Sequence, residues 1–398
     1  MSTKLSKKAS LVQTSATSLM LLKVSQLQRA GIDVISLNVG EPSTDTPGHI
    51  KDAGIEAIRE DFTRYTPVNG IAPLRAAIAD KLARENDIDY SPDEITVTVG
   101  AKQALAAALF ALLDPSDEVI LPIPCYVSYP DMVRMAGGVP VFVPLAEDYQ
   151  LDLEAVRGAV TGRTKAVILC TPNNPTGAVY SEDSLRALAE LALERDFFLI
   201  ADEVYEKLIY DDARHFSIAS VSEAVRDITV TVNAFSKTYS MTGWRLGYAA
   251  ARRDVIQAMN RYISQTTTTA SSIAQKAALT ALTSPQDCVE AMRAELCSLR
   301  DYALSRLRAI PGVTCAEPQG AFYLFFDVSA CLGRRVHGRV LADDAALCEY
   351  LREEYHVAAM PGSAYFQSGH VRMSYSLPMP TLVRAMDALS AGIGALMG

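Results

Sequence analysis

Ile95-Thr96-Val97-Thr98-Val99-Gly100-Ala101-Lys102-Gln103, running on into the apolar stretch Ala104 to Leu113, reads as a strand that turns at a glycine into an alanine-rich helix. The same alternation continues downstream. Glu118 to Leu121 leads to a helical stretch near Ser128 to Met135, and Ala166 to Leu169 precedes a helix over Ser181 to Arg195. Phe197 to Ala201, Thr229 to Val232 and Leu246 to Ala250 extend the apolar, strand-like series. Strands that stay apolar along their length and are separated by helices belong to a mostly parallel sheet covered on both faces. An α/β domain is expected from about residue 90 to 250.

Beyond Pro285 the texture changes. A long amphipathic pattern through Arg308 is followed by a strand at Ala321 to Asp327, a helix near Ala345 to Glu354, a strand at Val371 to Ser376 and a closing helix. This order predicts a smaller α+β domain to which the N-terminal segment returns. A chain of 398 residues has length enough for two such domains and a cofactor site between their elements.

Composition narrows the function classes. With 37 basic against 46 acidic residues, a formal charge of -9 and no long basic run, the chain is not built to track a phosphate backbone, so no nucleic-acid partner is expected. Ala104 to Leu113 is about half of the ~20 residues a membrane-spanning helix needs. Lys4, Lys7 and Lys8 precede a polar stretch instead of a secretory apolar segment, which points to a cytoplasmic protein with no membrane partner. Seven scattered cysteines without a CxxC pair argue against disulfide scaffolds and zinc sites, and five dispersed histidines against a histidine-based metal site. No metal is expected. The dinucleotide fingerprint GxGxxG follows no strand, which excludes the common redox reading of an α/β domain.

Four pieces carry chemistry. In Ser236-Lys237-Thr238-Tyr239-Ser240-Met241-Thr242-Gly243-Trp244-Arg245, expected as a loop between two strands, Lys237 is either solvated or held to form a Schiff base with an aldehyde cofactor. Eight residues on, Arg245 offers a fixed cationic fork for a phosphate. Asp202 and Tyr205 stand just past the strand Phe197 to Ala201, where open parallel sheets bind ligands. The carboxylate either caps the next segment or keeps a pyridine nitrogen protonated, and the phenol is placed to hydrogen-bond a ring oxygen. Pro172-Asn173-Asn174-Pro175-Thr176-Gly177 is a rigid turn that presents the Asn174 amide at the same sheet edge. Finally, the amides at Gly100, Ala101 and Lys102 open a helix, a natural place for a phosphate.

In this order the pieces resemble the class I/II aminotransferases of fold type I, the pyridoxal 5'-phosphate (PLP) family of aspartate aminotransferase and in particular its bacterial branch. Asn38-Val39-Gly40-Glu41-Pro42, Arg64-Tyr65-Thr66-Pro67-Val68-Asn69-Gly70 and Val371-Arg372-Met373-Ser374-Tyr375-Ser376 extend the resemblance over almost the whole chain. It implies a large PLP-binding domain over residues 46–285 with a mostly parallel seven-stranded sheet, and a small α+β domain formed by residues 1–45 with 286–398. Lys237 is implied as the Schiff-base lysine and Asp202 as partner of the pyridine nitrogen. Tyr205 and Asn174 are implied near the ring oxygen. Arg245 and the amides of Gly100, Ala101 and Lys102 are implied at the phosphate, and Ser236 among the cofactor-binding residues. Tyr65 would reach the phosphate of a neighbouring subunit, so a homodimer with shared sites is expected. Gly40, Asn174 and Arg372 are implied at the substrate α-carboxylate, a role that suits arginine's planar donors.

The chain departs from the family pattern at two places. Tyr126, in Pro124-Cys125-Tyr126-Val127-Ser128-Tyr129-Pro130, stands where many relatives stack a tryptophan on the cofactor ring. Leu19-Met20-Leu21-Leu22 is more apolar than the segment that lines the substrate pocket in relatives. The expected function is transfer of an amino group between an L-amino acid and a 2-oxo acid, with aspartate and 2-oxoglutarate as the default pair. Lyase, cyclase, decarboxylase or oxidase chemistry on the same fold is the first alternative, because PLP serves all of them. The second is a PLP-sensing regulator, for which the resemblance, starting within the first few tens of residues, leaves no room for a DNA-binding domain.

Overall fold

Val97, Ile120, Val167, Ile200 and Val230 are almost wholly buried, and the strands that carry them build one seven-stranded sheet in the computed structural model, which describes Ser6 and residues 10–397. Lys4, Lys7 and Lys8 lie outside the described residues. In chain order the strands are β1 (Ile95–Thr98), β2 (Glu118–Ile123), β3 (Val139–Pro144), β4 (Thr164–Cys170), β5 (Phe198–Asp202), β6 (Thr229–Ala234) and β7 (Gly247–Ala250). Across the sheet they run β1-β7-β6-β5-β4-β2-β3. All neighbours are parallel except β7, which is antiparallel to both β1 and β6.

Both faces of the sheet are covered, as continuous apolar strands require. Ala166, Ile168 and Ile200 belong to a core shared with Ala104, Leu105 and Ala108 of the helix Gly100–Leu112. Their neighbours Val167, Leu169, Leu199 and Ala201 pack with Leu185, Leu188 and Ala192 of the helix Glu182–Arg195. That helix starts at Ser181, whose side chain accepts from the Ser184 amide, and stops at Asp196 in a left-handed conformation. The result of this layering is that Cys170, Asp202 and Val232 stand in register at the carboxyl ends of β4, β5 and β6.

A second, antiparallel sheet is formed by β8 (Thr314–Cys315), β9 (Tyr323–Asp327), β10 (Met360–Pro361) and β11 (His370–Ser374), in the order β10-β11-β9-β8. The N-terminal segment is stitched to this region. Ile35–Ser36 pairs in parallel with Val357–Ala358, and the Ser374 amide donates to the Leu37 carbonyl at 2.7 Å. Asn38 to Gly40 are thereby held against β11. Leu19-Met20-Leu21-Leu22 lies on the helix Ala16–Arg29 and does not line the cavity. Met20 is buried, whereas the three leucines are exposed, and Thr17, one turn earlier, is the residue of this helix that reaches the site.

Behind the end of β5 lies a buried charged cluster that the dispersed histidines did not reveal. Lys81 pairs with Glu206, which also accepts from Asn86 at 2.6 Å, while Ser217 donates to Glu203 at 2.8 Å and His215 lies 3.3 Å from the same carboxylate. Burial alone would raise the Glu206 carboxyl, but Lys81, His215 and Asn86 bring it down to about 2. A depressed carboxyl stabilises the fold above its unfolded pKa of 4.5, and that contribution is lost as pH falls towards about 2. Replacing Lys81 by Met leaves Glu206 charged and buried, so stability at pH 7 in urea unfolding is expected to fall by about 3–5 kcal/mol. The further change Glu206→Leu in the same chain is expected to recover much of that loss.

Candidate active site

The end of β5 sorts its side chains between two sides. Asp202 and Tyr205 line a cavity of about 350 Å³, while Glu203 and Glu206 belong to the charged cluster just described. Gly40, Ala101, Lys102, Tyr126, Asn174, Ser236, Lys237, Arg245 and Arg372 line the same cavity. Residues from seven separate stretches of chain are thus gathered at the carboxyl edge of the parallel strands, where such sheets open to ligands.

Lys237 does not sit in an open loop. Phe235–Thr238 is a single helical turn, pinned by the buried Phe235 ring and closed by the Tyr239 amide on the Phe235 carbonyl at 3.1 Å. From this turn the Lys237 Nζ donates to the Gly40 carbonyl. Burial pushes its ammonium down to about 8, with Glu41 opposing and Arg245 and Arg372 reinforcing the shift. Asp202 is the last residue of β5 and is 5% exposed. Its Oδ2 accepts from the Tyr129 hydroxyl at 2.7 Å, and its Oδ1 is buried with no hydrogen-bond partner. Burial raises this carboxyl to about 6, although the Tyr129 bond pulls the other way.

Arg372 is 2% exposed on β11. It donates to the Asn38 carbonyl at 2.6 Å and to Asn174 Oδ1 at 3.3 Å, and its Nε has no partner. The Tyr323 and Tyr365 rings lie 4.4 and 5.0 Å from the guanidinium carbon. Asn174 is presented by a locked turn, in which the Thr176 hydroxyl donates to Asn173 Oδ1 at 2.9 Å and Gly177 adopts φ +73° against Pro318. Tyr205 shares a 2.8 Å hydrogen bond with Tyr323.

A third group surrounds the start of the helix Gly100–Leu112. Gly100 has φ +74°, and a Cβ there would lie 2.7 Å from a guanidinium nitrogen of Arg245. A Cβ at Gly247 would lie 2.8 Å from the Ala101 amide nitrogen. Arg245 itself holds a left-handed φ of 55° and donates to the Thr242 carbonyl at 2.7 Å. Two glycines therefore allow the helix start and the arginine to approach each other. Tyr126 is partly buried, edge-on to Tyr129 at 5.4 Å, with the Lys102 Nζ 5.6 Å from its ring. Tyr65 is 88% exposed and is not among the residues that line this cavity. Tyr129, Tyr323, Tyr365, Thr17 and Asn38 were not singled out from the sequence. Only Tyr129 and Asn38 lay inside motifs already quoted.

The family model for aminotransferase class I and II matches residues 32–389. A probable aspartate/prephenate aminotransferase of Aquifex aeolicus is 45% identical over 98% of both chains. An aspartate aminotransferase of Geobacillus stearothermophilus is 43% identical over 97% of this chain and 98% of its own. The structure of aspartate aminotransferase from Thermus thermophilus with maleate superposes with a TM-score of 0.92, at 42% identity, over 98% of this chain and 99% of the other. The chain belongs to the class I and II aminotransferases, with the fold type I architecture. It is a PLP-dependent enzyme that moves an amino group between an amino acid and a 2-oxo acid.

Because the Lys237 amine is neutral only above about pH 8, its reaction with a small aldehyde in the cofactor-free protein is expected to accelerate with pH along a titration centred there. Borohydride trapping followed by peptide mass spectrometry measures it. A midpoint near 10.5, the ordinary value for lysine, would contradict this account of the site.

Proposed function

We propose that this aminotransferase takes its amino group from a dicarboxylic amino acid, aspartate, and passes it to 2-oxoglutarate. The observation that carries this reading is a second cation in the cavity. Arg372 has the planar donors for an α-carboxylate, and Lys102, with the Thr17 hydroxyl, lines the same space and is free for a distal one. The Geobacillus and Thermus relatives are named aspartate aminotransferases, and the Thermus structure holds maleate, itself a dicarboxylate. The Aquifex relative's name adds prephenate, a 2-oxo acid with a second carboxylate, which the same pair of cations would suit as an acceptor.

When bound, PLP supplies an aldehyde that accepts the amino group and an electron-poor ring that stabilises negative charge at the substrate Cα. Two features of the chain fit that group. The unpartnered Oδ1 of Asp202, with a carboxyl that burial raises to about 6, is suited to a protonated ring nitrogen. The cradle of Gly100, Ala101, Lys102, Ser236 and Arg245, which a Cβ at Gly100 would fill, is suited to the phosphate. Tyr205 and Asn174 would hold the ring oxygen, and Tyr126 would cover the ring face. Gly40, Asn174 and Arg372 would orient the α-carboxylate.

Lys237 serves as anchor and as proton carrier. Its Nζ would take the proton from the substrate Cα and hold it for delivery to the carbon that accepts the amino group, and a pKa of about 8 makes both protonation states accessible near neutrality. Asp202 keeps its proton partner charged throughout, a fixed electrostatic contribution that needs no rearrangement during the reaction.

The same reading makes residues 46–285 the large domain and 1–45 with 286–398 the small one, and makes the protein a homodimer. The 88% exposure of Tyr65, which does not line its own cavity, supports a role for it towards a neighbouring subunit. The seven free cysteines accord with a reducing cytoplasmic setting.

Anaerobic mixing of the PLP-loaded protein with single amino acids, without acceptor, is expected to convert the absorbance of the aldehyde form to that of the aminated form, with aspartate the preferred donor. Product without accumulation of the aminated form would move the assignment to lyase or oxidase chemistry. Lys237→Ala is expected to abolish the conversion. In steady-state kinetics, Lys102→Met is expected to lower the preference for aspartate over alanine, read as the ratio of kcat/KM, by about 10–100-fold, the worth of one charge-assisted hydrogen bond.

A further inference from the structure

Tyr323 lies outside every motif of the sequence yet contacts three parts of the site. It is 1% exposed on β9 and two residues from Phe325, the partner of Arg372. Its ring centroid lies 4.4 Å from the Arg372 guanidinium carbon, and its hydroxyl lies 2.8 Å from that of Tyr205. The backbone of Gly40 approaches the same hydroxyl so closely that a Cβ would collide with it. One side chain therefore links the carboxylate-binding arginine, the phenol proposed for the ring oxygen and the segment that accepts from Lys237.

The chemistry sets the sense of the shared hydrogen bond. Burial raises both phenols. Tyr205 goes well above its usual value, whereas Tyr323 reaches only about 12, because the Arg372 cation beside it favours loss of its proton. With the Arg372 guanidinium 4.4 Å from its ring, Tyr323 is favoured as the donor and the Tyr205 oxygen as the acceptor. The O–H of Tyr205 is left to donate into the cavity, and a phenol that accepts one hydrogen bond donates the next more strongly. The ring acts separately. Together with Tyr365 on its other flank, at 5.0 Å, it fixes the plane of a guanidinium that has an unpartnered Nε.

We infer that Tyr323 is a positioning residue with two separable parts: its hydroxyl strengthens Tyr205 as a donor to the PLP ring oxygen, and its ring orients Arg372 for the substrate carboxylate. This rests on the PLP reading of the site.

The test compares PLP-loaded wild type, Tyr323→Phe and Tyr323→Leu by absorbance titration, PLP affinity and steady-state kinetics. A weaker bond to the ring oxygen makes the chromophore hold its proton more tightly. Tyr323→Phe is therefore expected to raise the midpoint of its titration by about 0.5–1 pH unit, the worth of one hydrogen bond. In the same variant KM for aspartate is expected to stay within about twofold, because the ring remains. Tyr323→Leu is expected to show the same midpoint shift and a KM for aspartate raised about 5–30-fold, because the ring is lost. An unshifted midpoint in Tyr323→Phe overturns the hydroxyl's part, and this variant keeps the core volume, so the result stands even where the leucine variant is unstable. Equal KM values in the two variants overturn the ring's part. A wild-type protein that binds no PLP and shows no titrating chromophore overturns the cofactor reading, and this proposal with it.

Discussion

The site depends on burying a carboxylate that the protein only half satisfies. Asp202 accepts from the Tyr129 hydroxyl, and its other oxygen is buried without a hydrogen-bond partner among the described residues. An unmet charged acceptor costs a few kcal/mol, so the fold has to hold the residue there by other means. It does so from three sides. Backbone ladders fix Asp202 between Cys170 and Val232, the helices over both sheet faces exclude water, and the next residue, Glu203, is tied into the charged cluster behind the strand. The alternation within Asp202-Glu203-Val204-Tyr205-Glu206 does the sorting, with Asp202 and Tyr205 towards the cavity and both glutamates towards Lys81 and His215.

The cavity's cations follow a matching rule. Lys237 donates to the carbonyl of Gly40, Arg245 to that of Thr242 and Arg372 to that of Asn38. None of the three spends its charge on a carboxylate within hydrogen-bonding distance. A carbonyl fixes direction without neutralising, so the field inside the cavity stays positive and remains available to anionic ligands. That arrangement suits a cofactor that carries a phosphate and substrates that carry one or two carboxylates. It also accounts for the low pKa of Lys237, since burial acts alongside the neighbouring Arg245 and Arg372. The tethers at Gly40 and Asn38 need backbone brought close from elsewhere in the chain, which is what the pairing of Ile35–Ser36 with Val357–Ala358 provides.

The sequence was legible where one physical rule acted locally. Apolar runs separated by helical periodicity marked six of the seven strands of the main sheet, because each of those strands is buried on both faces. The edge strand Val139–Pro144 escaped for the opposite reason: its residues are mostly exposed or half-buried and include two prolines, so no apolar run marks it. Lys237, Asp202, Arg245, Asn174 and Gly100 could be chosen because their types and spacing carry chemistry, Arg372 only through the family resemblance, and all of them line or adjoin one cavity. The short helical turn under Lys237 leaves no mark in the sequence, since four residues are too few to show a period.

What the sequence concealed has one cause. Tyr129, Tyr323 and Tyr365 work through tertiary contacts, and a tyrosine in an apolar strand or turn looks the same whether its hydroxyl is idle or is the partner of a reactive group. The contrast between Tyr323 and Tyr365 makes the point. Both flank Arg372 and both are buried, yet the hydroxyl of one meets Tyr205 and that of the other has no partner. The register of β9 against β11, which sets Phe325 opposite Arg372 and Tyr323 opposite Ser374, is what brings the Tyr323 phenol to the site. Strand register is fixed by the hydrophobic pattern of whole elements, so the chemistry of this phenol is a property of the fold and not of any motif.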